Sequence, residues 1–150
     1  MSELRVNFCC GGNLLQNWEN RDIDCDITKP LPYESGTVKE ALCEHGLEHV
    51  NCGDALRFLD ECYRILQPGG MLRVCVPVLD RLPKDHARDI VFNHGHQCAY
   101  TSESLYHLIR LSGLNPIGSG RRPEDGHWKI IGTEKDDLET ARIDCMKPRQ

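Results

Sequence analysis

The chain has 150 residues, with 18 basic and 23 acidic side chains and a formal net charge of −5. This length fits one domain with a substantial core, and the acidic balance gives no electrostatic case for a nucleic-acid partner. No apolar run approaches the length of a membrane span and the polar start is unlike a signal peptide, so we expect a cytoplasmic protein without a membrane partner.

Nine cysteines are spread along the chain, and no pair has Cys-x-x-Cys spacing. Cys43, Cys62 and Cys75 stand inside apolar patterns, where free cysteine behaves as a small hydrophobic residue. We therefore predict reduced structural cysteines rather than disulfides or a cysteine-held zinc ion.

The first predicted strand ends in a glycine turn. Residues 4–8 alternate apolar and polar side chains, and the run stops at Cys9-Cys10-Gly11-Gly12. A second short strand opens at Trp18 and leads into three acids, Asp22, Asp24 and Asp26. A glycine-rich first turn and an acid after the second strand form a nucleoside site in open α/β sheets. The pattern predicts a cofactor that contains a nucleoside.

The middle of the chain reads as a strand, a helix and a second strand. The strand covers 38–43 and ends at Glu44-His45, which should face the ligand crevice. The helix covers 54–67, has Asp54 as its N-cap and stops at Pro68-Gly69-Gly70. An apolar strand follows over 71–76.

The C-terminal part is less regular. A short helix is predicted near 85–92, and a second helix covers 102–112 with Thr101 as its N-cap. Residues 115–126 read as a loop, 127–133 as a last strand, and the polar residues after it as a tail. We predict a single domain over 1–150, with 136–150 as a loose tail.

These motifs, in this order, resemble the class I S-adenosylmethionine-dependent methyltransferases, in particular the small bacterial type 11 group. The resemblance covers roughly Leu4 to Leu114 and the 127–133 strand. Its motifs are VNFCCGGN, NWENRDID, DITKPLPYESGTV, LCEHGLEHV, FLDECYRILQPGGMLRVCVP and AYTSESLYHLIRLSGL. It implies an α/β, Rossmann-like sheet with helices on both faces.

The resemblance also implies S-adenosylmethionine as the cofactor and assigns residues to it. Asp22 would hold the ribose hydroxyls, with Asp24 as its rival. Glu44 and His45 would line the methionine and the methyl group. The full set of implied cofactor residues is Cys10, Gly11, Gly12, Asn13, Asp22, Ile23, Asp26, Ile27, Glu44 and His45.

Two departures from the family reduce this fold. Cys9 stands where the family has the first glycine of its loop, so a side chain would crowd the turn or alter the backbone. Only residues 13–17 separate Gly12 from Trp18, although a helical crossover needs about 10–12 residues. The first crossover helix and the third strand are therefore expected to be shortened or missing.

The favoured function is methyl transfer to a small-molecule or glycan-type acceptor. The reaction is an in-line displacement, which needs positioning and, for a hydroxyl or amine acceptor, a general base. His45 is the first candidate base because of its place at the crevice, and His96 is the second. His49 and His94 are further candidates, although His49 also suits a structural role at a helix start.

Two other hypotheses remain open. The domain could have lost tight cofactor binding and act through protein association, with a homodimer formed at a bare sheet edge. Alternatively, His45 and His49 could share a helix face and bind a metal, with further ligands from Glu44, Glu48, His94 and His96. That spacing matches no established zinc motif, so the sequence favours no metal.

Overall fold

The computed structural model describes residues 3–119 and 140–149. One six-stranded sheet has the order β2-β1-β3-β4-β6-β5. Strands β1 to β4 are parallel, and β6 runs antiparallel to both of its neighbours. The strands are β1 (Leu4–Phe8), β2 (Glu19–Arg21), β3 (Val38–Glu44), β4 (Leu66–Pro77), β5 (Asn115–Ser119) and β6 (Thr140–Met146).

Three α-helices and two short 3-10 turns connect the strands. The helices are α1 (Cys52–Ile65), α2 (Lys84–Phe92) and α3 (Ser102–Leu111), and the 3-10 turns are Leu47–His49 and Leu79–Arg81. Among the residues described, no helix is both long enough and apolar enough to cross a membrane.

The main core lies between one face of the sheet and helices α1 and α3. Phe58 of α1 packs edge-on against Phe8 of β1, with ring centroids 5.4 Å apart. Leu105 and Ile109 of α3 are fully buried in the same cluster. The opposite face is built differently, since Leu42 there packs against side chains from the first linker and β4, namely Leu15, Trp18 and Met71.

Most of the predicted elements are confirmed. The apolar runs at 4–8 and 38–43 form β1 and β3, and the 85–92 region forms α2. The predicted N-cap of α3 is also confirmed: Thr101 Oγ1 accepts a hydrogen bond from the Ser104 amide, and Ser104 Oγ accepts one from the Thr101 amide. This reciprocal capping fixes the start of α3.

The predicted bounds of α1 were wrong at both ends. The helix begins at Cys52, because Asn51 rather than Asp54 is the N-cap and its Oδ1 accepts from the Asp54 amide at 2.9 Å. It ends at Ile65, and the chain passes directly into β4. Pro68 disfavours the helical conformation for the residue before it, which explains the early end.

Two C-terminal predictions were also wrong. Residues 115–119, read as part of a loop, form edge strand β5, where Pro116 is tolerated at the sheet margin. Residues 140–146, read as part of a loose tail, form β6 between β4 and β5. Every second residue of β6 is an apolar side chain that is buried, namely Ala141, Ile143 and Cys145. This alternation is typical of a strand, but the polar residues between them obscured it. The predicted strand at 127–133 lies outside the described residues.

The first crossover is reduced as the sequence predicted. Residues 9–18 join two parallel neighbouring strands without a helix. Strand β2 is only three residues long and forms one edge of the sheet, so the part of the chain that is described has no third strand beyond it. The three acids of 22–26 follow this strand in turns rather than lying within it.

Candidate functional site

The carboxyl ends of β1, β2 and β3 meet at one edge of the sheet. Phe8, the last residue of β1, pairs with Arg21 on one side and with Cys43 on the other. The residues just past these strands therefore lie together, including Cys9 and Asp22. This is the edge at which open α/β sheets bind their ligands.

Cys9 has a left-handed backbone conformation. Its φ is +53°, in the left-handed region that favours glycine. The neighbouring Gly46 makes room for it: a Cβ added there would lie 2.7 Å from Cys9 Sγ and 2.8 Å from Cys43 Sγ. The departure expected to crowd or alter the turn is thus accommodated by a second glycine, which the sequence analysis did not identify.

The two thiols beside Gly46 influence each other. A hydrogen bond from Cys43 to the Cys9 sulfur lowers the pKa of Cys9. The same contact, together with complete burial, raises the pKa of Cys43 well above its ordinary value. Cys9 is therefore the more acidic thiol at this edge.

The turn after Cys9 borders open space at its two glycines and is held by hydrogen bonds at Asn13. A Cβ on Gly11 or Gly12 would meet nothing within 4 Å, so both backbones border free space. Asn13 closes the turn, because its amide donates to Cys10 O at 2.7 Å and its Nδ2 donates to Glu44 Oε2 at 3.1 Å. Cys10 itself is buried at 8% exposure and borders the space only through its backbone.

Asparagines replace the missing crossover helix. Asn20 Oδ1 accepts from the Leu15 amide at 2.9 Å, and its Nδ2 donates to Leu15 O and Trp18 O. Buried Asn7 donates from its Nδ2 to Asn13 O at 2.8 Å and to Asn20 Oδ1 at 3.0 Å. These side chains satisfy linker backbone groups that a helix would have satisfied internally.

The three acids Asp22, Asp24 and Asp26 differ in the hydrogen bonds that their carboxylates accept. Both oxygens of Asp24 are engaged, one by Arg21 Nη1 and one by the Asp22 amide, each at 2.9 Å. Asp26 Oδ1 accepts from the amide and hydroxyl of Thr28, and these hydrogen bonds lower the Asp26 pKa. The exposed Asp22 carboxylate accepts no hydrogen bond from any described residue.

The two isoleucines assigned to the cofactor have opposite environments. Ile23 is 99% exposed beside Asp22, whereas Ile27 is 6% exposed and packs in the main core. Ile23 is therefore free to meet a ligand, and the contact assigned to Ile27 stays a prediction.

His45 follows β3 and pairs with a buried acid. Its Nδ1 lies 3.3 Å from Glu48 Oε1, and the exposed fractions of the two side chains are 50% and 2%. The backbone of His45 is left-handed, with φ +53°, and its amide donates to Cys75 O at 2.8 Å. Such strain in a non-glycine residue is concentrated at functional sites.

The second predicted base, His96, lies close to Glu48 and His49. The His96 ring stacks edge-on against that of His49, with centroids 4.8 Å apart, and His94 lies next to it with centroids 5.9 Å apart. Glu48 therefore links His45 to this group, a role that the LEH motif did not reveal from the sequence. The amides of Gln97 and Cys98 donate hydrogen bonds to Glu48 O, so the segment after α2 lies against the 3-10 turn.

Comparisons with known proteins bear on the fold and on the type of domain. The sequence pattern of a family described as "Methyltransferase domain" matches residues 11–74. A SAM-dependent methyltransferase from Methanosarcina mazei superposes with a TM-score of 0.68 at 12% identity, over 100% of this chain and 95% of that one. The chain therefore has the fold of the S-adenosylmethionine-dependent methyltransferases, and its residues 11–74 are similar to their methyltransferase domain.

Two further proteins that this chain is similar to carry more specific names. A ubiquinone biosynthesis O-methyltransferase from Cereibacter sphaeroides is 34% identical over 56% of this chain and 38% of its own length. The Burkholderia thailandensis 1,6-didemethyltoxoflavin-N1-methyltransferase, solved with S-adenosylhomocysteine, has a TM-score of 0.64 at 16% identity, over 97% of this chain and 71% of that one. The chain thus spans well under half of the curated relative it matches.

The described residues fit the family's cofactor, S-adenosylmethionine. The open space at Gly11 and Gly12 suits a ligand lying against the backbone, and the unengaged carboxylate of Asp22 suits a pair of ribose hydroxyls. Asp24 is less suited to bind the ribose hydroxyls, because both of its carboxylate oxygens already accept hydrogen bonds, from Arg21 and from the Asp22 amide.

Proposed function

We propose that this methyltransferase transfers the methyl group of S-adenosylmethionine to an oxygen atom of a small-molecule acceptor. The O-methyltransferase names of its curated relatives support the reaction class. The single observation that carries the proposal is the His45–Glu48 pair at the carboxyl end of β3, which provides a proton acceptor beside the cofactor turn.

The cofactor would lie across the ends of the first three strands. Asp22 would accept hydrogen bonds from the ribose hydroxyls, while the backbone of Gly11 and Gly12 allows close approach. Glu44, held by Asn13, would border the methionine part. The bound cofactor supplies an activated methyl group on its sulfonium, and the chain's task is to hold the acceptor in line with it.

His45 would remove the proton of the acceptor hydroxyl. Its Nδ1 faces the Glu48 carboxylate, which favours the tautomer with the proton on Nδ1 and leaves Nε2 as the proton acceptor. Glu48 would also stabilise the positive imidazole that forms. The burial of Glu48 strengthens this pairing, because water screens it little.

The assignment of the other residues follows from their places. His96 is grouped with Glu48 and His49, and we assign it no proton transfer. A homodimer through the free edge of β2 and a glycan-type acceptor stay predictions. We also propose a cytoplasmic location, because all nine thiols are free and free thiols persist in reducing compartments.

A labelled-methyl assay tests the proposal. The protein would be incubated with S-adenosylmethionine carrying a labelled methyl group and a dihydroxybenzoate probe, and transfer to the probe measured. His45→Gln is expected to lower the transfer rate by about 10²-fold or more. His107→Gln, at an exposed histidine of α3, is the matched control and is expected to keep the rate. Full activity in His45→Gln would contradict the role of His45.

A further inference from the structure

Glu48, His49 and His96 form a compact group of potential metal ligands. One ligand atom from each residue lies within 4.8 Å of the other two. The residues come from two separate segments, since Glu48 and His49 belong to the 3-10 turn and His96 to the segment after α2.

Within this group, the buried carboxylate of Glu48 gives the strongest indication of a bound cation. Its side chain is 2% exposed, and Oε1 is paired with His45 Nδ1. Its other oxygen, Oε2, is buried and has no hydrogen-bond partner among the described residues. A buried carboxylate oxygen without a partner is costly, and a bound cation is one of the few groups that offset that cost.

The backbone already holds the two segments together. The amides of Gln97 and Cys98 both donate to Glu48 O, at 2.8 and 3.2 Å. Gln97 Nε2 donates to His49 O at 2.9 Å. His96 is therefore held beside Glu48 by contacts that do not involve its ring, so the ligand group does not depend on the ion for its assembly.

We propose that Glu48, His49 and His96 bind a divalent cation of the zinc type. Two imidazole nitrogens and one carboxylate oxygen are the ligands that Zn²⁺ accepts, and hard ions such as Mg²⁺ prefer oxygen. Tetrahedral Zn²⁺ with bonds of about 2.0–2.1 Å needs ligand atoms roughly 3.3 Å apart. Exposed His49 and half-buried His96 can close that gap by side-chain rotation, whereas Glu48 stays fixed.

The site has consequences that do not require methyl transfer. Three protein ligands leave a coordination position open for water or another oxygen ligand. The ion would join the 93–98 segment to the 3-10 turn through side chains as well as backbone. It would also leave the His45–Glu48 contact intact, because the two interactions use different oxygens of Glu48.

Cobalt binding tests the proposal and distinguishes the ligand type. Metal-free, reduced protein would be titrated with Co²⁺ and followed by visible and near-ultraviolet absorption, with Zn²⁺ titrated in parallel by calorimetry. We expect one equivalent of Co²⁺ without the charge-transfer band of a cobalt–thiolate bond, which matters because the chain has nine free cysteines. Failure of the wild-type protein to bind, or a thiolate band from its first equivalent, would overturn the proposal.

Variants locate the ion. Glu48→Gln and His96→Ala are each expected to weaken binding by about tenfold or more, since each removes a ligand. His107→Ala removes an exposed histidine of α3 and is expected to bind as the wild type does. His96→Ala lies outside the helices and strands, so it keeps the test valid if Glu48→Gln does not fold. Equal affinities in His96→Ala and His107→Ala would contradict the site.

Discussion

At the residue scale, Cys9 shows how a departure from a family pattern can be absorbed. The residue keeps a left-handed backbone, with φ +53°, at a cost of about 1–2 kcal/mol for a non-glycine residue. Gly46 supplies the space that its sulfur needs. The sequence alone showed the missing glycine but not the compensating one, because the two positions meet only through the pairing of β1 with β3.

The Cys9–Cys43 contact predicts an unusually reactive thiol. The hydrogen bond from Cys43 lowers the Cys9 pKa, so the Cys9 thiolate is present at lower pH than that of an ordinary cysteine. Exposed Cys52 has a raised pKa because of desolvation. Iodoacetamide labelling followed by peptide mass mapping should therefore modify Cys9 before Cys52 at neutral pH.

Removing the hydrogen-bond donor provides the control for that labelling. Cys43→Ala should shift the pH dependence of Cys9 labelling to higher pH and slow it at neutral pH. Cys145→Ala, in β6, should leave it unchanged. Labelling of Cys9 that is indifferent to Cys43→Ala would show that the thiol pair does not set its reactivity.

At the element scale, the asparagine-held linker takes the place of the first crossover helix. Sequence patterns identified β1, β3, α1 and α3 because their apolar periodicity is strong. They also predicted that the crossover is too short for a helix. The hydrogen bonds of Asn7 and Asn20 could not be predicted, because they depend on side-chain orientations that no periodic pattern encodes.

Asn20→Ala should damage both the linker and the cofactor site. The variant leaves the Leu15 amide and two linker carbonyls without their partner, which should cost about 1–3 kcal/mol of unfolding free energy. Cofactor affinity should also fall, because Asn7 connects Asn20 to Asn13. Urea denaturation and calorimetry with S-adenosylhomocysteine measure the two effects.

The N-cap of α1 provides the matched control. Asn51→Ala should cost about 1 kcal/mol of unfolding free energy through the loss of the cap. It should leave cofactor affinity unchanged, since the side-chain hydrogen bonds of Asn51 are with Asp54 at the start of α1. If both variants reduced the affinity equally, the linker would have no specific role in the site.

At the scale of the whole molecule, a buried ion pair joins β6 to its neighbour β4. Arg73 of β4 donates two hydrogen bonds to Asp144 of β6, at 2.6 and 2.8 Å, and both side chains are almost fully buried. The polar composition of TARIDCM concealed this strand from sequence analysis. A charged residue such as Asp144 can be assigned to a buried strand only when its partner on the neighbouring strand is known.

Asp144→Ala should destabilise the protein by about 3–5 kcal/mol, because it leaves the buried Arg73 guanidinium without its carboxylate. Urea denaturation would measure the loss. Glu103→Ala, which removes the acid of an exposed pair with His107, should change the unfolding free energy by less than about 1 kcal/mol. A similar small change in Asp144→Ala would mean that β6 is not anchored through this pair.

The sequence predicted a cofactor site at this edge of the sheet but left its acid undecided. Asp22 and Asp24 were both candidates, because the end of β2 could not be fixed from an acidic run. The structure favours Asp22 as the acid for the ribose hydroxyls. Strand β2 ends at Arg21, and both carboxylate oxygens of Asp24 already accept local hydrogen bonds. The difference between Asp22 and Asp24 therefore provides the most direct test of the proposed cofactor site.

Calorimetric titration with S-adenosylhomocysteine, on the wild type and on Asp22→Asn and Asp24→Asn, tests this account most directly. We expect binding by the wild type, a loss of about tenfold or more in Asp22→Asn, and a change of less than about threefold in Asp24→Asn. Circular dichroism would confirm that each protein is folded. No binding by the folded wild type, or equal losses in the two variants, would contradict the assigned cofactor site.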